Sequence, residues 1–315
     1  MIRRLNISLS VYVGGLLLVL SGCGGGVETD ADVTLKPTYD VEPEASSDGG
    51  GSGTSGNSAT EGGNADTPEA KAGGIGVWKG RVQIAAGDEL PEPKTRFAVG
   101  KATADPQWCA ATEPIMNRQL LVNQETRGIA NVFIWLEEMP DGGKDDTSSS
   151  QGWEYVFDQQ NCTFIPHGMV VRTGKPIKVI SSDKVKHNVH SRPLENAEFN
   201  ESLSAGQSTE MTYQSPEFVP VKVVCDIHTW MNAYQLPVAH PYAAVTNEKG
   251  EFTIADLPSG DYEFKVWHEA KGWIHRGLEV TIEAGDNEQT IDISASELLG
   301  AFEGPRPRTI LLSGF

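Results

Sequence analysis

From Ile75 onward the chain becomes strand-like. Apolar and polar positions alternate from Val77 to Ile84 around Gly80. Ala130 to Leu136 (ANVFIWL) is a compact apolar run ended by a Pro140-Asp141-Gly142-Gly143 turn. Toward the C-terminus the sets Phe252/Ile254, Tyr262/Phe264/Val266 and Leu278/Val280/Ile282 each repeat at period two. Turn-forming Asn247-Glu248-Lys249-Gly250 and Leu257-Pro258-Ser259-Gly260 separate them. Val221–Val224 reads as a further short strand. No long amphipathic helix and no internal repeat stands out, so the pattern predicts an all-β protein rich in turns.

The N-terminal quarter follows other rules. Arg3 and Arg4 precede an apolar stretch from Val11 to Leu20, too short to cross a bilayer core of about 20 apolar residues, which reads as a signal peptide over 1–22. Residues 24–74 hold twelve glycines, a single aromatic (Tyr39), and ten acidic against two basic side chains. Such a segment cannot bury enough apolar area to offset its ordering entropy, so 23–74 is predicted to be a disordered linker spanning roughly 40 Å. The whole chain of 315 residues carries a net charge of −18. That excess of carboxylates excludes nucleic acid as a partner, since phosphate contacts need clustered Lys and Arg, and disfavours adsorption to anionic lipid through a basic patch.

Leu20-Ser21-Gly22-Cys23 resembles the bacterial lipoprotein processing site. The resemblance implies cleavage before Cys23, lipidation of its sulfur, and a protein anchored in the bacterial cell envelope, facing the periplasm or the outer surface. Ordinary secretion with a chance cysteine is the other reading, and both place the folded part where disulfides form. The phrase VTNEKGEFTIADLPSGDYEFKVW resembles the carboxypeptidase regulatory-like, transthyretin-type β-sandwich. That family's opening strands match 76–84 and 128–136, about 100 residues before the hairpin. The expected organisation is therefore an outer sandwich from 75–151 and 241–295, a second domain at 152–240 inserted in or beside it, and a tail at 296–315. Two domains in plain series is the alternative, though 241–295 alone supplies too few strands to close a core.

The candidate chemistry lies in the inserted segment. Cys225-Asp226-Ile227-His228-Thr229-Trp230-Met231 follows a strand, and Lys186-His187-Asn188-Val189-His190 lies 38 residues earlier. One thiolate, two imidazoles and a thioether are the soft ligand set of a mononuclear copper site, and C-x2-H-x2-M places three of them on one loop. From about Tyr155 to Val238 the chain resembles a cupredoxin of the plastocyanin and amicyanin type, with a Greek-key β-sandwich. Further marks are Phe164-Ile165-Pro166, the Gly174 turn, Ser181-Ser182-Asp183 and Ala205-Gly206. The resemblance implies one type 1 copper held by His187, Cys225, His228 and Met231, with Asn188 tying the two ligand segments together. It also implies that electrons pass through an exposed imidazole edge of His228. Trp230 departs from the family, where a proline or small residue is usual, and is expected either to shield the metal or to widen an apolar contact face.

Two competing readings are a zinc site completed by His190 and a metal-free scaffold. His190 is expected at the surface or behind the ligands, and His167, His240, His268 and His275 in structural roles. With Cys23 lipidated and Cys225 on the metal, Cys109 and Cys162 remain as a disulfide pair or as two buried thiols. The function implied is a membrane-tethered carrier of single electrons between redox proteins. An enzyme with further copper is disfavoured, since Cys225 is flanked by Val224 and Asp226 and no His-x-His occurs. A surface module binding carbohydrate or protein is the remaining class.

Overall fold

The structure, a computed structural model, describes residues 73–145 and 155–300, without the side chains of 299 and 300. Cys23, the signal peptide, nearly all of the expected linker, and the tail beyond 300 lie outside the described residues.

The described chain is all-β apart from one short C-terminal helix. Its strands begin with β1 (Ile75–Ile84), β2 (Thr95–Phe97), β3 (Ile115–Met116) and β4 (Phe133–Trp135). The middle of the chain supplies β5 (Tyr155–Gln160), β6 (Thr163–Ile165), β7 (Gly168–Arg172), β8 (Ile177–Ser181), β9 (His187–Arg192), β10 (Phe199–Leu203), β11 (Ser208–Met211), β12 (Val221–Val224) and β13 (Asn232–Val238). The last group is β14 (Ala243–Val245), β15 (Glu251–Pro258), β16 (Gly260–His268), β17 (Gly272–Ile282) and β18 (Gly285–Ile293), followed by α1 (Ala295–Gly300).

Strands from the two ends of the described chain share sheets. β1 is the central strand of β15-β1-β18, antiparallel to β15 and parallel to β18. β4 is internal to β14-β4-β16-β17. These sheets enclose one core in which Trp78, Val82 and Ile84 meet Ile134, Phe252, Ile254, Phe264 and Val280. The alternation of β1 is what aims Trp78, Val82 and Ile84 at one face. Gly80 is required between them, because a Cβ there would fall 2.7 Å from the Phe252 ring and 2.3 Å from the Gln289 carbonyl. That gap lets Phe252 meet Trp78 edge-on at 4.8 Å. Leu298 of α1 is fully buried in the same core, so the outer sandwich extends past residue 295.

The middle segment forms two further sheets, β10-β9-β12-β13-β7 and β11-β8-β5-β6, around a separate core containing Phe157, Phe164, Val179, Val189, Val223 and Ala233. The two halves touch back to back. Phe133, Trp135, Leu236 and Val238 form a third apolar cluster, with Trp267 and Trp273 against it.

One allocation made from sequence is corrected by the packing. Residues 98–116 fall within the stretch assigned to the outer sandwich, yet Ala102, Cys109, Ala110 and Ile115 are buried in the core of the inserted sandwich. Only isolated apolar residues mark this stretch, so periodicity could not assign it to a face. A disulfide from Cys109 to Cys162, with Cα atoms 5.5 Å apart, fastens it there.

Candidate metal centre

β9 and β12 are antiparallel neighbours, with Val224 opposite His190. His187 opens β9, and Cys225 is the first residue beyond β12, so both stand at the same end of the sheet. The loop from β12 to β13 then folds back on itself. Met231 N–H donates to the His228 carbonyl at 2.8 Å, and Cys225 N–H donates to the Met231 carbonyl at 3.2 Å. This closure brings His228 and Met231 beside Cys225. His187 and His228 have no solvent exposure, and Cys225 and Met231 are each 1% exposed.

The side chains converge through defined atoms. Nδ1 of His187 and Nδ1 of His228 each lie 4.0 Å from Cys225 Sγ. The imidazole centroids are 4.5 Å apart. A metal about 2.0 Å from nitrogen and about 2.3 Å from sulfur holds such donors roughly 4 Å apart in a trigonal arrangement, so the donor set fits a His2Cys site. The His228 amide also donates to Cys225 Sγ at 3.3 Å. Burial pushes the Cys225 thiol up. Hydrogen bonds from His187, His228 and the backbone amides of Asn188 and His228 outweigh it and bring the thiol down to about 6. Burial lowers His187, while Asp183 and Cys225 more than offset this and raise it to about 9. The two shifts belong to one coupled pair, which draws the sulfur toward thiolate and the proton toward His187; a metal bound there would displace that proton.

The far nitrogens of both rings are fixed by carboxylates. His187 Nε2 lies 2.8 Å from Asp183 Oδ2, and His228 Nε2 lies 2.9 Å from Asp105 Oδ2. These partners leave each Nδ1 to face the sulfur, the orienting role that carboxylates take behind ligating imidazoles. Asp183 also accepts from the amides of Asn161 and Cys162 at 2.7 and 2.8 Å. Both residues have positive φ, as a two-residue type I′ hairpin between β5 and β6 requires. Sulfurs of the Cys109–Cys162 disulfide therefore sit beside the histidines. Both sulfurs lie within 4.8 Å of a His228 ring nitrogen, and that of Cys162 within the same distance of His187.

Asn188 joins the two ligand segments. Its Oδ1 accepts from the Asp226 amide at 2.7 Å, and its Nδ2 donates to Asp226 Oδ2 at 2.8 Å and Asn200 Oδ1 at 2.9 Å. His190 points away from the cluster, between Asp226 and Glu198. His167 is buried against Glu269, and His268 donates to the Ala130 carbonyl at 3.2 Å.

The expectation of an exposed His228 edge is overturned. Asp105 and the disulfide cover it, and the imidazole has no solvent exposure. Trp230 is half-buried, not a free docking face. Its Nε1 donates to the Cys162 carbonyl at 3.1 Å, and its ring meets Phe97 at 4.9 Å and His228 at 5.1 Å. The physical reason is the strap 98–116, which brings its own apolar residues and covers the ring. Sequence reasoning missed Asp105, which has neither spacing nor motif relative to His228. Asp183 was legible as the residue four before His187.

No family model and no curated protein matches the chain. Solved structures that resemble part of it include a copper-containing nitrite reductase from Thermus scotoductus SA-01, at 14% identity and TM-score 0.25 over 27% of this chain. A purple cupredoxin from Nitrosopumilus maritimus is similar at 16% identity and TM-score 0.24, over 27% of this chain and 100% of its own. The M98A mutant of amicyanin in its Cu(I) form matches at 16% identity and TM-score 0.25, over 27% of this chain and 82% of its own. The chain spans about a fifth (22%) of the length of the nitrite reductase. TM-scores this low carry no functional weight, so the donor atoms must.

Proposed function

We propose that the protein is an extracytoplasmic electron carrier holding one copper ion through His187 Nδ1, Cys225 Sγ and His228 Nδ1, with Met231 as the weak fourth ligand. The observation that carries this reading is the placement of both Nδ1 atoms 4.0 Å from one buried sulfur. When bound, the copper supplies a one-electron couple between Cu(I) and Cu(II). The chain does the rest. Asp183 and Asp105 hold the two imidazoles in orientation, so the donors need not rearrange when the charge changes. Burial of all four side chains to 1% exposure or less excludes water from the donors and bars direct access of a substrate. That arrangement suits electron transfer better than turnover.

A cysteine at position 23, lipidated as its sequence context implies, would keep the carrier at the membrane with a long linker. The partners in this reading are redox proteins that approach the covered His228 edge, with electrons crossing the Asp105 and disulfide layer. Copper titration of the full chain with voltammetry tests the reading. One copper per chain and a reversible one-electron wave are expected. Failure to bind copper, or a stoichiometry above one with catalytic oxygen consumption, would remove it.

A further inference from the structure

A cavity of about 230 Å3 opens beside the donor cluster, and its lining does not match the charge of the chain. Lys222 of β12 and Asn232 and Tyr234 of β13 line it from the five-stranded sheet. Arg96 of β2 and Arg118, just after β3, line it from the strap side, and Trp230 and Met231 also border it. The protein carries −18 overall, yet three cations face this space against one lining carboxylate, Glu269. Glu269 is already engaged, by His167 and by Asn232 Nδ2 at 3.1 Å.

Among the described residues no carboxylate is paired with Arg96, Arg118 or Lys222, although Arg96 lies over the Phe97 ring at 5.7 Å, and Glu248 and Glu269 act on Arg118 at longer range. Arg118 Nε is shielded from water and has no hydrogen-bond partner among the described residues. A sheltered guanidinium N–H without an acceptor is costly, and an anion in the cleft would satisfy it. Guanidinium groups present a planar fork suited to carboxylate and phosphate oxygens. The volume lies below the ~300–1,000 Å3 of drug-sized sites, which suits an ion of few atoms.

We propose that this cleft is a binding site for a small dianion, a dicarboxylate or phosphate, held by Arg96, Arg118 and Lys222. The lining, two positive charges in excess, matches the ligand, and Tyr234 adds a neutral hydroxyl to it. The three cations are not among the donors of the metal centre, although Met231 and Trp230 border both sites.

The test is isothermal titration calorimetry of the full chain without added metal, using sodium succinate and sodium phosphate in turn, with sodium chloride at matched ionic strength. Saturable 1:1 binding of one or both dianions, but not of chloride, is expected. Succinate alone identifies a dicarboxylate site and phosphate alone a phosphate site. Affinity should fall at least tenfold in Arg118→Gln and in the exposed-residue variant Arg96→Gln, with circular dichroism confirming that each is folded. Saturation by neither dianion, or unchanged affinity in Arg96→Gln and Arg118→Gln, would overturn the proposal.

Discussion

Asp105 Oδ2 and His228 Nε2 meet at 2.9 Å across a sequence separation of 123 residues. The carboxylate belongs to a strap whose apolar residues enter the core of the sandwich carrying the histidine. It fixes the imidazole and closes its outer edge at the same time. Asp105→Ala should therefore open that edge. In the copper-loaded protein, oxidation by a small inorganic complex should become faster, while folding stability falls by only about 1 kcal/mol because the carboxylate is partly exposed. Stopped-flow kinetics beside a denaturant melt checks both; an unchanged rate means the strap does not gate access.

The disulfide should matter more for stability. It links residues separated by 53 positions, and closing a loop of that size constrains the unfolded chain by about 4 kcal/mol. The double variant Cys109→Ala/Cys162→Ala should lose about that much. Amides of residues 98–116 should also lose hydrogen-exchange protection before those of β12 and β13. Equal protection across both regions would show that the strap is held by packing alone.

Asn188 is 4% exposed and makes three hydrogen bonds between β9, β10 and the residue after Cys225. Asn188→Ala leaves the Asp226 amide without its side-chain acceptor and should cost about 2 kcal/mol. Loss of the tie should also weaken metal retention. A competition titration against a chelator, run with chemical denaturation, measures the two effects separately, and neither should be absent.

His268 predicts an acid-side dependence. Its Nε2 donates to the Ala130 carbonyl and its Nδ1 accepts from the Ala270 amide, both at 3.2 Å, which requires the neutral ring. Burial holds its folded-state value down to about 4 from the ordinary 6.5, with His167 acting in the same sense and the Ala130 carbonyl opposing. Between those values the unfolded chain binds a proton that the folded chain refuses. This contribution is therefore fully present above pH 6.5, falls by about 3 kcal/mol as pH drops toward 4, and then levels off. The difference between wild type and His268→Gln should show that slope in unfolding free energies from pH 4 to 7. Parallel curves would contradict it.

What the sequence made legible was set by period and spacing. The alternation from Val77 to Ile84 and from Tyr262 to Val266 marked core-facing strands, because a pleated strand half in water cannot hide its period. The fold is all-β, as that pattern predicts. The convergence of Cys225 and His228 was readable because both lie on one short loop. His187 needed the resemblance to a known family, since nothing local says that β9 pairs with β12. The strap from 98 to 116 was not readable. Ala102, Cys109 and Ile115 are too sparse to declare a face, and Asp105 carries no mark of its distant partner. The burial of His228 depended on that strap, so the expected exposed edge failed with it.

The central claim is that Cys225 and two imidazoles bind one copper. An absorption and electron paramagnetic resonance spectrum of the copper-loaded full chain, compared with Cys225→Ser, tests it most directly. An intense visible thiolate-to-copper band with a single copper signal, both lost in Cys225→Ser, is the predicted result. A colourless wild-type protein, or a band that persists in Cys225→Ser, would contradict it.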